Sequence, residues 1–184
     1  FRGLVSTFLP QMSYPASYGD DVTNYYPEEV TRHLMAMTLP HGTKIWPVFC
    51  NKMPVLYAWD VFKLLTESTA DFVPYWKWDI NQALNANDIY AVLYRQSGQA
   101  VLAVSNIGPT DANNVTIPKA ALDEVFPGLA TASDPMDSEP LTLDQGSLTM
   151  DIVAKDFRLL YLERDVCDTN WNTFMSADLD TNCY

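Results

Sequence analysis

Asp88–Gly108, DIYAVLYRQSGQAVLAVSNIG, is the stretch that decides how the chain is read. Ile89–Tyr94 and Ala100–Val104 are short apolar runs rich in β-branched and aromatic side chains. The polar connector Arg95-Gln96-Ser97-Gly98-Gln99 contains a glycine, which can take positive φ in a tight turn. The spacing predicts a β-hairpin. Both runs are nearly continuous rather than alternating, so both faces are expected to be covered, in the middle of a sandwich. A helix is the poorer reading for runs this short with a glycine at the centre.

Outward from the hairpin, the chain downstream continues as short strands with turn signals. Asn114–Ile117, Leu141–Leu143, Ser147–Ile152 and Phe157–Leu162 are strand candidates, with Asp144-Gln145-Gly146 as a turn and Ala120–Val125 as a helical turn. Upstream the pattern differs. Gly3–Leu9 is an apolar run stopped by Pro10. Pro27, Glu28 and Glu29 mark a helix start, with Val30, Leu34 and Met37 on one stripe and Pro40 and Gly42 ending it. Thr43–Phe49 is a second strand, irregular at Pro47, and Leu56–Thr66 a second helix with Trp59, Phe62 and Leu65 on one face. That alternation predicts α/β structure, which runs out at the aromatic junction Asp71–Asp79. The fold class expected is α/β followed by all-β, with the change between Ala70 and Asn87.

The 184 residues are 48% hydrophobic, ample for a real core, and carry a net charge of −12. Ten acids face eight bases in residues 1–120, against thirteen and three in residues 121–184. So acidic a surface excludes a nucleic-acid partner, whose phosphates require Lys and Arg. No apolar run approaches the roughly 20 residues that span a bilayer. The chain opens on Phe1-Arg2-Gly3-Leu4 and is expected to be a piece of something longer.

The series MAMTLPHGTKIWPVF (35–49), ADFVPYWKW (70–78), VLYRQSGQAVLAVSNIG (92–108) and SLTMDIVAKDFRLLYLE (147–163) resembles the C-terminal part of certain glycoside hydrolases. These are (β/α)8-barrel enzymes with an all-β domain after the barrel, similar to β-N-acetylgalactosaminidases. The resemblance implies that residues 1–78 are the last strands and helices of a (β/α)8 barrel, residues 79–163 an antiparallel β-sandwich, and residues 164–184 an acidic tail that departs from the family pattern. It implies further that the catalytic carboxylates lie on earlier barrel strands, outside this chain, and that no cofactor is needed.

Barrel sites form at the C-terminal ends of the strands, which here are Pro10-Gln11-Met12 and Phe49-Cys50-Asn51-Lys52. Gln11, Asn51 and Lys52 are therefore candidate hydrogen-bonding partners for a sugar, and Trp46, or an aromatic of the Tyr14–Tyr26 loop, a candidate stacking surface. The adjacent acids Asp20-Asp21 and Glu28-Glu29 are poor acid–base pairs, because adjacency does not set two carboxyls across a sugar ring. His33 and His41 have no Cys or His at ligand spacing. Asp178-Leu179-Asp180-Thr181-Asn182 opens like a calcium loop but lacks its glycine and distal Glu.

Cys50 sits in an apolar context and is expected to be a buried thiol, whereas Cys167 and Cys183 flank the tail and are candidates for a disulfide. Asn114-Val115-Thr116 is a glycosylation sequon. These features favour an extracellular, secreted setting. Three functions are weighed on that basis. One is a glycoside-hydrolase-like segment that completes the barrel and binds carbohydrate. The second is a non-catalytic subunit of an extracellular assembly on the same scaffold. The third, a carbohydrate-binding module, is the weakest, because the sandwich is poor in Trp that would be exposed. In the first two, the partner is the N-terminal portion of the same precursor. Without it, apolar residues among Leu4, Val5, Phe8, Ile45, Trp46 and Val48 would meet water at a cost on the order of 10 kcal/mol.

Overall fold

Among the described residues ten strands carry most of the structure, mostly in antiparallel sheets and with few helices. The computed structural model describes residues 7–8, 10, 27–65, 70–78, 80, 84, 87–137 and 140–164. The strands are β1 (Thr7–Phe8), β2 (Lys44–Ile45), β3 (Asp71–Val73), β4 (Ile89–Arg95), β5 (Gln99–Asn106), β6 (Ala112–Ile117), β7 (Leu129–Ser133), β8 (Leu141–Asp144), β9 (Ser147–Ile152) and β10 (Asp156–Arg164). The α-helices are α1 (Glu28–Thr38), α2 (Lys52–Phe62) and α3 (Lys119–Val125), with a 3-10 turn at Leu39–His41.

The hairpin is β4 and β5, paired antiparallel from Ile89↔Asn106 to Arg95↔Ala100. Its turn closes with the Gln96 N–H donating to the Gln99 carbonyl, and Gly98 is not among the residues with positive φ, so the glycine is not used as expected. In the β8–β9 turn the expectation holds. Gln145 and Gly146 both have positive φ, at 47° and 82°, which matches the right-handed twist of the flanking strands.

Strands β3-β4-β5-β10-β7 form a five-stranded antiparallel sheet and β6-β9-β8 a three-stranded one. Alternation along β4, β5 and β10 sends Ala91, Leu93, Leu102, Val104, Leu160 and Leu162 to one face. There they meet Val115, Ile117, Leu148, Met150 and Ile152 of the smaller sheet, with Leu122 and Phe126 of the α3 region closing one end. Trp78 plugs the same core at 2% exposure, its indole Nε1 donating to the Ala121 carbonyl at 2.9 Å.

The opposite face carries Val92, Val101, Ala103, Phe157 and Leu159, and helices cover it. Met35 and Ala36 of α1, Leu39, and Val55, Ala58 and Val61 of α2 supply that layer. Both faces of the hairpin are thus buried, as its continuous runs require, but the second cover is helical rather than another sheet. Val92, Leu102, Val104, Ile152 and Leu160 are all 2% exposed or less.

Several upstream expectations shift. The buried stripe of α1 is Thr31, Met35 and Ala36, not Val30 and Met37, which are 43% and 55% exposed. Two polar ties turn the helix. The Thr31 hydroxyl accepts the Asn51 backbone N–H at 2.9 Å, and Arg32 reaches Asp156 at 2.8 Å and Asp137 at 3.0 Å. Helix α2 begins at Lys52 rather than Leu56, because Asn51 caps it and Pro54 fits the first turn. Its buried residues are Pro54, Val55, Ala58 and Val61, while Trp59 and Phe62 are only half-buried. Within Thr43–Phe49 only Lys44–Ile45 is strand, since Pro47 has no N–H to pair. Of the residues expected to meet water, Ile45 is instead buried, Val48 half-buried and Trp46 exposed. Strands β3 and β7 were not expected; β3 arises within the aromatic junction and pairs with β4.

Candidate functional site

β1 and β2 pair in parallel, Thr7↔Lys44 and Phe8↔Ile45, with α1 between them in sequence. The chain leaving β2 therefore emerges at the C-terminal end of a parallel pair. Trp46 comes first, and Val48 then donates its N–H to the Trp46 carbonyl at 2.7 Å, folding the backbone back on itself. Phe49 follows with φ at 58°, a left-handed conformation that a bulky side chain rarely takes. Cys50 and Asn51 fix this bend from behind. Cys50 is buried at 4% exposure, and Asn51 is tied through its backbone to buried Thr31.

The turn consequently points two aromatic rings outward. Trp46 is 54% and Phe49 52% exposed. Trp46 is braced edge-on by Trp59, with ring centroids 6.4 Å apart. Beside them the Asn51 side-chain oxygen is engaged as a helix cap, accepting from the Met53 N–H at 3.0 Å, which leaves its amide N–H groups as donors. Lys52 is exposed in the first turn of α2, where a cation is unfavourable for the helix. Its charge acts instead on its surroundings. Burial pushes the Cys50 thiol up from its ordinary value, and the Lys52 ammonium opposes that shift. The arrangement offers an apolar stacking surface, amide donors and a positive charge within one short connection.

Trp46, Asn51 and Lys52 thus lie on one connection, and Gln11 lies outside the described residues. Asp20-Asp21, Cys167, Cys183 and the Asp178–Asn182 segment also lie outside them. Glu28 and Glu29 are exposed in the first turn of α1, and Glu29 faces His33 at 3.6 Å. His41 packs edge-on to Tyr75. Among the described residues no group of three or more His, Cys, Asp or Glu is placed to hold a metal ion, and no helix is long and apolar enough to cross a membrane. Asn114 is exposed on β6, at φ 56°, with its backbone N–H bound to Asp151. Sequence reasoning missed Phe49, because nothing in the residue type announces a left-handed backbone. Trp59, read as part of the packing face of the second helix, packs half-buried against the core and also braces Trp46.

No family model and no curated protein matches this chain. Among solved structures it is similar to the glycoside hydrolase family 30 subfamily 8 xylanase from Clostridium acetobutylicum, at 9% identity and a TM-score of 0.48, over 89% of this chain and 46% of that one. It is also similar to a family 30 endoxylanase from Clostridium papyrosolvens C71, at 9% identity and 0.44, over 85% of this chain and 42% of that one. The chain spans less than half the length of either.

Proposed function

We propose that the chain is the carboxy-terminal segment of a secreted, glycoside-hydrolase-like protein. In this reading β1, α1, β2 and α2 are the last strands and helices of a (β/α)8 barrel, and the antiparallel layers behind them buttress it. The N-terminal portion of the same precursor supplies the remaining strands and the catalytic carboxylates. Carbohydrate binds at the end of β2, where Trp46 stacks on a sugar ring while Asn51, Lys52 and Gln11 hydrogen-bond its hydroxyls.

The observation that carries this reading is α2. Its inner side packs on the five-stranded sheet through Val55, Ala58 and Val61, while Met53, Leu56, Tyr57 and, just beyond its end, Leu64 are exposed. Only Lys52 and Asp60 are charged on this helix, and a helix so largely apolar on its outer side as well belongs between two layers. The parallel pair supports the same conclusion, since parallel strands occur almost only in sheets covered on both faces, and two such short strands are not stable alone.

The test is to prepare the 184-residue chain alone and together with the portion preceding it in its precursor. Alone, it is expected to self-associate and to bind a hydrophobic dye. Joined to the preceding portion, it is expected to be monodisperse, with the α2 amides slowed in hydrogen exchange. A monomeric chain with one cooperative transition, and α2 exchange unchanged by the preceding portion, overturns the reading. Mass spectrometry of the unreduced, secreted protein tests the setting, through a Cys167–Cys183 bridge and a glycan on Asn114.

A further inference from the structure

A second aromatic surface, built from other residues than the β2–α2 connection, lies at the β3 edge of the five-stranded sheet. Trp76 is 56% exposed. It stands in a tight turn closed by the Lys77 N–H on the Pro74 carbonyl at 2.9 Å, between two buried residues, Pro74 and Trp78. Trp78 is itself bolted to the core through Ala121. The turn cannot swing the exposed ring inward without withdrawing one of these anchors.

Trp76 is also held from the side. Tyr75 meets it at 5.0 Å and 88°, and Phe72 at 6.4 Å and 74°, both edge-on. Tyr75 is in turn packed against Tyr90 at 5.0 Å and His41 at 5.9 Å, and Phe72 against Tyr94 at 4.8 Å. Gly42 lies so close that a Cβ there would stand 3.1 Å from the Phe72 ring. Two near-perpendicular ring neighbours restrict the plane of the indole. A large aromatic, immobilised by its neighbours yet more than half open, has lost its conformational entropy in advance and gains only by being covered.

The chemistry around it selects what covers it. The residues flanking the aromatic run, Asp71 and Lys77, are exposed and charged, and His41 one ring away is exposed and polar. A protein interface needs an apolar centre of several hundred Å² per partner, whereas Trp76 is the one exposed large hydrophobic side chain of Asp71–Trp78, with the charged Asp71 and Lys77 at its margin. A pyranose matches that pattern, with an apolar C–H face to lie on the π surface and hydroxyls at its rim. The acidic balance of the chain disfavours a nucleobase carried on phosphate.

We propose that Trp76 is a carbohydrate-stacking platform on the β-sheet edge, separate from the β2–α2 connection, that holds a pyranose unit of a polysaccharide. It does not depend on the barrel reading, because Trp76 and its braces lie in and beside the antiparallel layers. Affinity electrophoresis tests it, with the full chain carrying Leu56→Glu to suppress self-association and run in native gels cast with a soluble xylan, a β-glucan or a galactomannan. Retardation is expected in at least one gel, with Trp76→Ala weakening the apparent affinity at least tenfold and Trp76→Tyr retaining part of it. Free monosaccharide at the same mass concentration should compete poorly, which separates chain binding from recognition of a single sugar. Circular dichroism of Trp76→Ala should match the parent, since the ring is exposed. No retardation in any gel overturns the proposal. So does retardation that survives Trp76→Ala, and if Trp46→Ala abolishes it, binding belongs to the β2–α2 connection instead.

Discussion

Arg158 and Asp134 form an ion pair at 2.6 Å with side chains 4% and 3% exposed. Burying two charges is favourable only when their remaining hydrogen-bonding capacity is met, and here it is. Arg158 also donates to the carbonyls of Pro140 and Asp151, and Asp134 accepts the N–H groups of Met136 and Asp137. The pair ties β10 to the segment between β7 and β8 and to β9. Asp134→Ala would strand the guanidinium and is expected to lower the stability by ~3–5 kcal/mol, measured by urea unfolding. Cys50 makes a different prediction. Its thiol is buried and its pKa raised by desolvation, so alkylation of the native protein should be slow and should accelerate sharply on unfolding. The sign of the pH dependence follows. The unfolded thiol ionises first, so the stability Cys50 contributes is complete below the ordinary thiol value and is lost as pH rises through the raised one. Cys50→Ser should flatten that alkaline decline. The buried thiol was legible from its apolar neighbours, whereas the Arg158–Asp134 pair was not, because its partners are 24 residues apart and neither residue type announces burial.

At the scale of elements, the antiparallel strands were the legible part, and the reason is physical. A strand buried on both faces must be nearly continuously apolar, which Ile89–Tyr94, Ala100–Val104 and Leu159–Leu162 are, and the β8–β9 turn needs residues tolerant of positive φ. Gln145 is the poorer of its two turn residues, so Gln145→Asn, giving the favoured Asn-Gly pair, is expected to stabilise the fold by about 0.5 kcal/mol, read as a raised Tm. The helices were legible in existence but not in orientation. Apolar residue type put Val30 and Met37 inside, yet Thr31 and Arg32 turn α1 through partners on Asn51 and Asp156 that no local pattern encodes. Asn51 was read as a sugar-binding candidate, and the structure places its side-chain oxygen on the Met53 N–H at 3.0 Å. Asn51→Ala should therefore cost ~1 kcal/mol through the lost cap, whatever it does to a ligand. Asn51→Asp, which keeps the cap and adds a negative charge beside Lys52, separates the two roles. Strand β7 escaped notice because Leu129–Ser133 is a half-exposed edge strand with little apolar signal.

Among the described residues the apolar side chains divide between two cores and an uncovered remainder, and α2 contributes to the helix-covered core and to the remainder. If its outer side docks on the preceding portion of a precursor, Leu56→Glu should reduce self-association of the isolated chain while leaving its Tm within a degree or two, because Leu56 is 39% exposed. In the joined protein the same change should destabilise by at least 1 kcal/mol. The five-stranded sheet has a consequence for dissection of the gene. Its two faces are clad by different parts of the chain, helices from residues 27–65 on one and strands and α3 from residues 112–152 on the other. A cut between Leu65 and Asp88 would leave Val92, Val101, Ala103, Phe157 and Leu159 bare along one whole side.

 The β-rich half is therefore not an excisable module, and a truncated gene beginning near Asp88 should yield inclusion bodies rather than a free-standing sandwich. Grafting it onto another protein would succeed only with the two helices carried along as its lining.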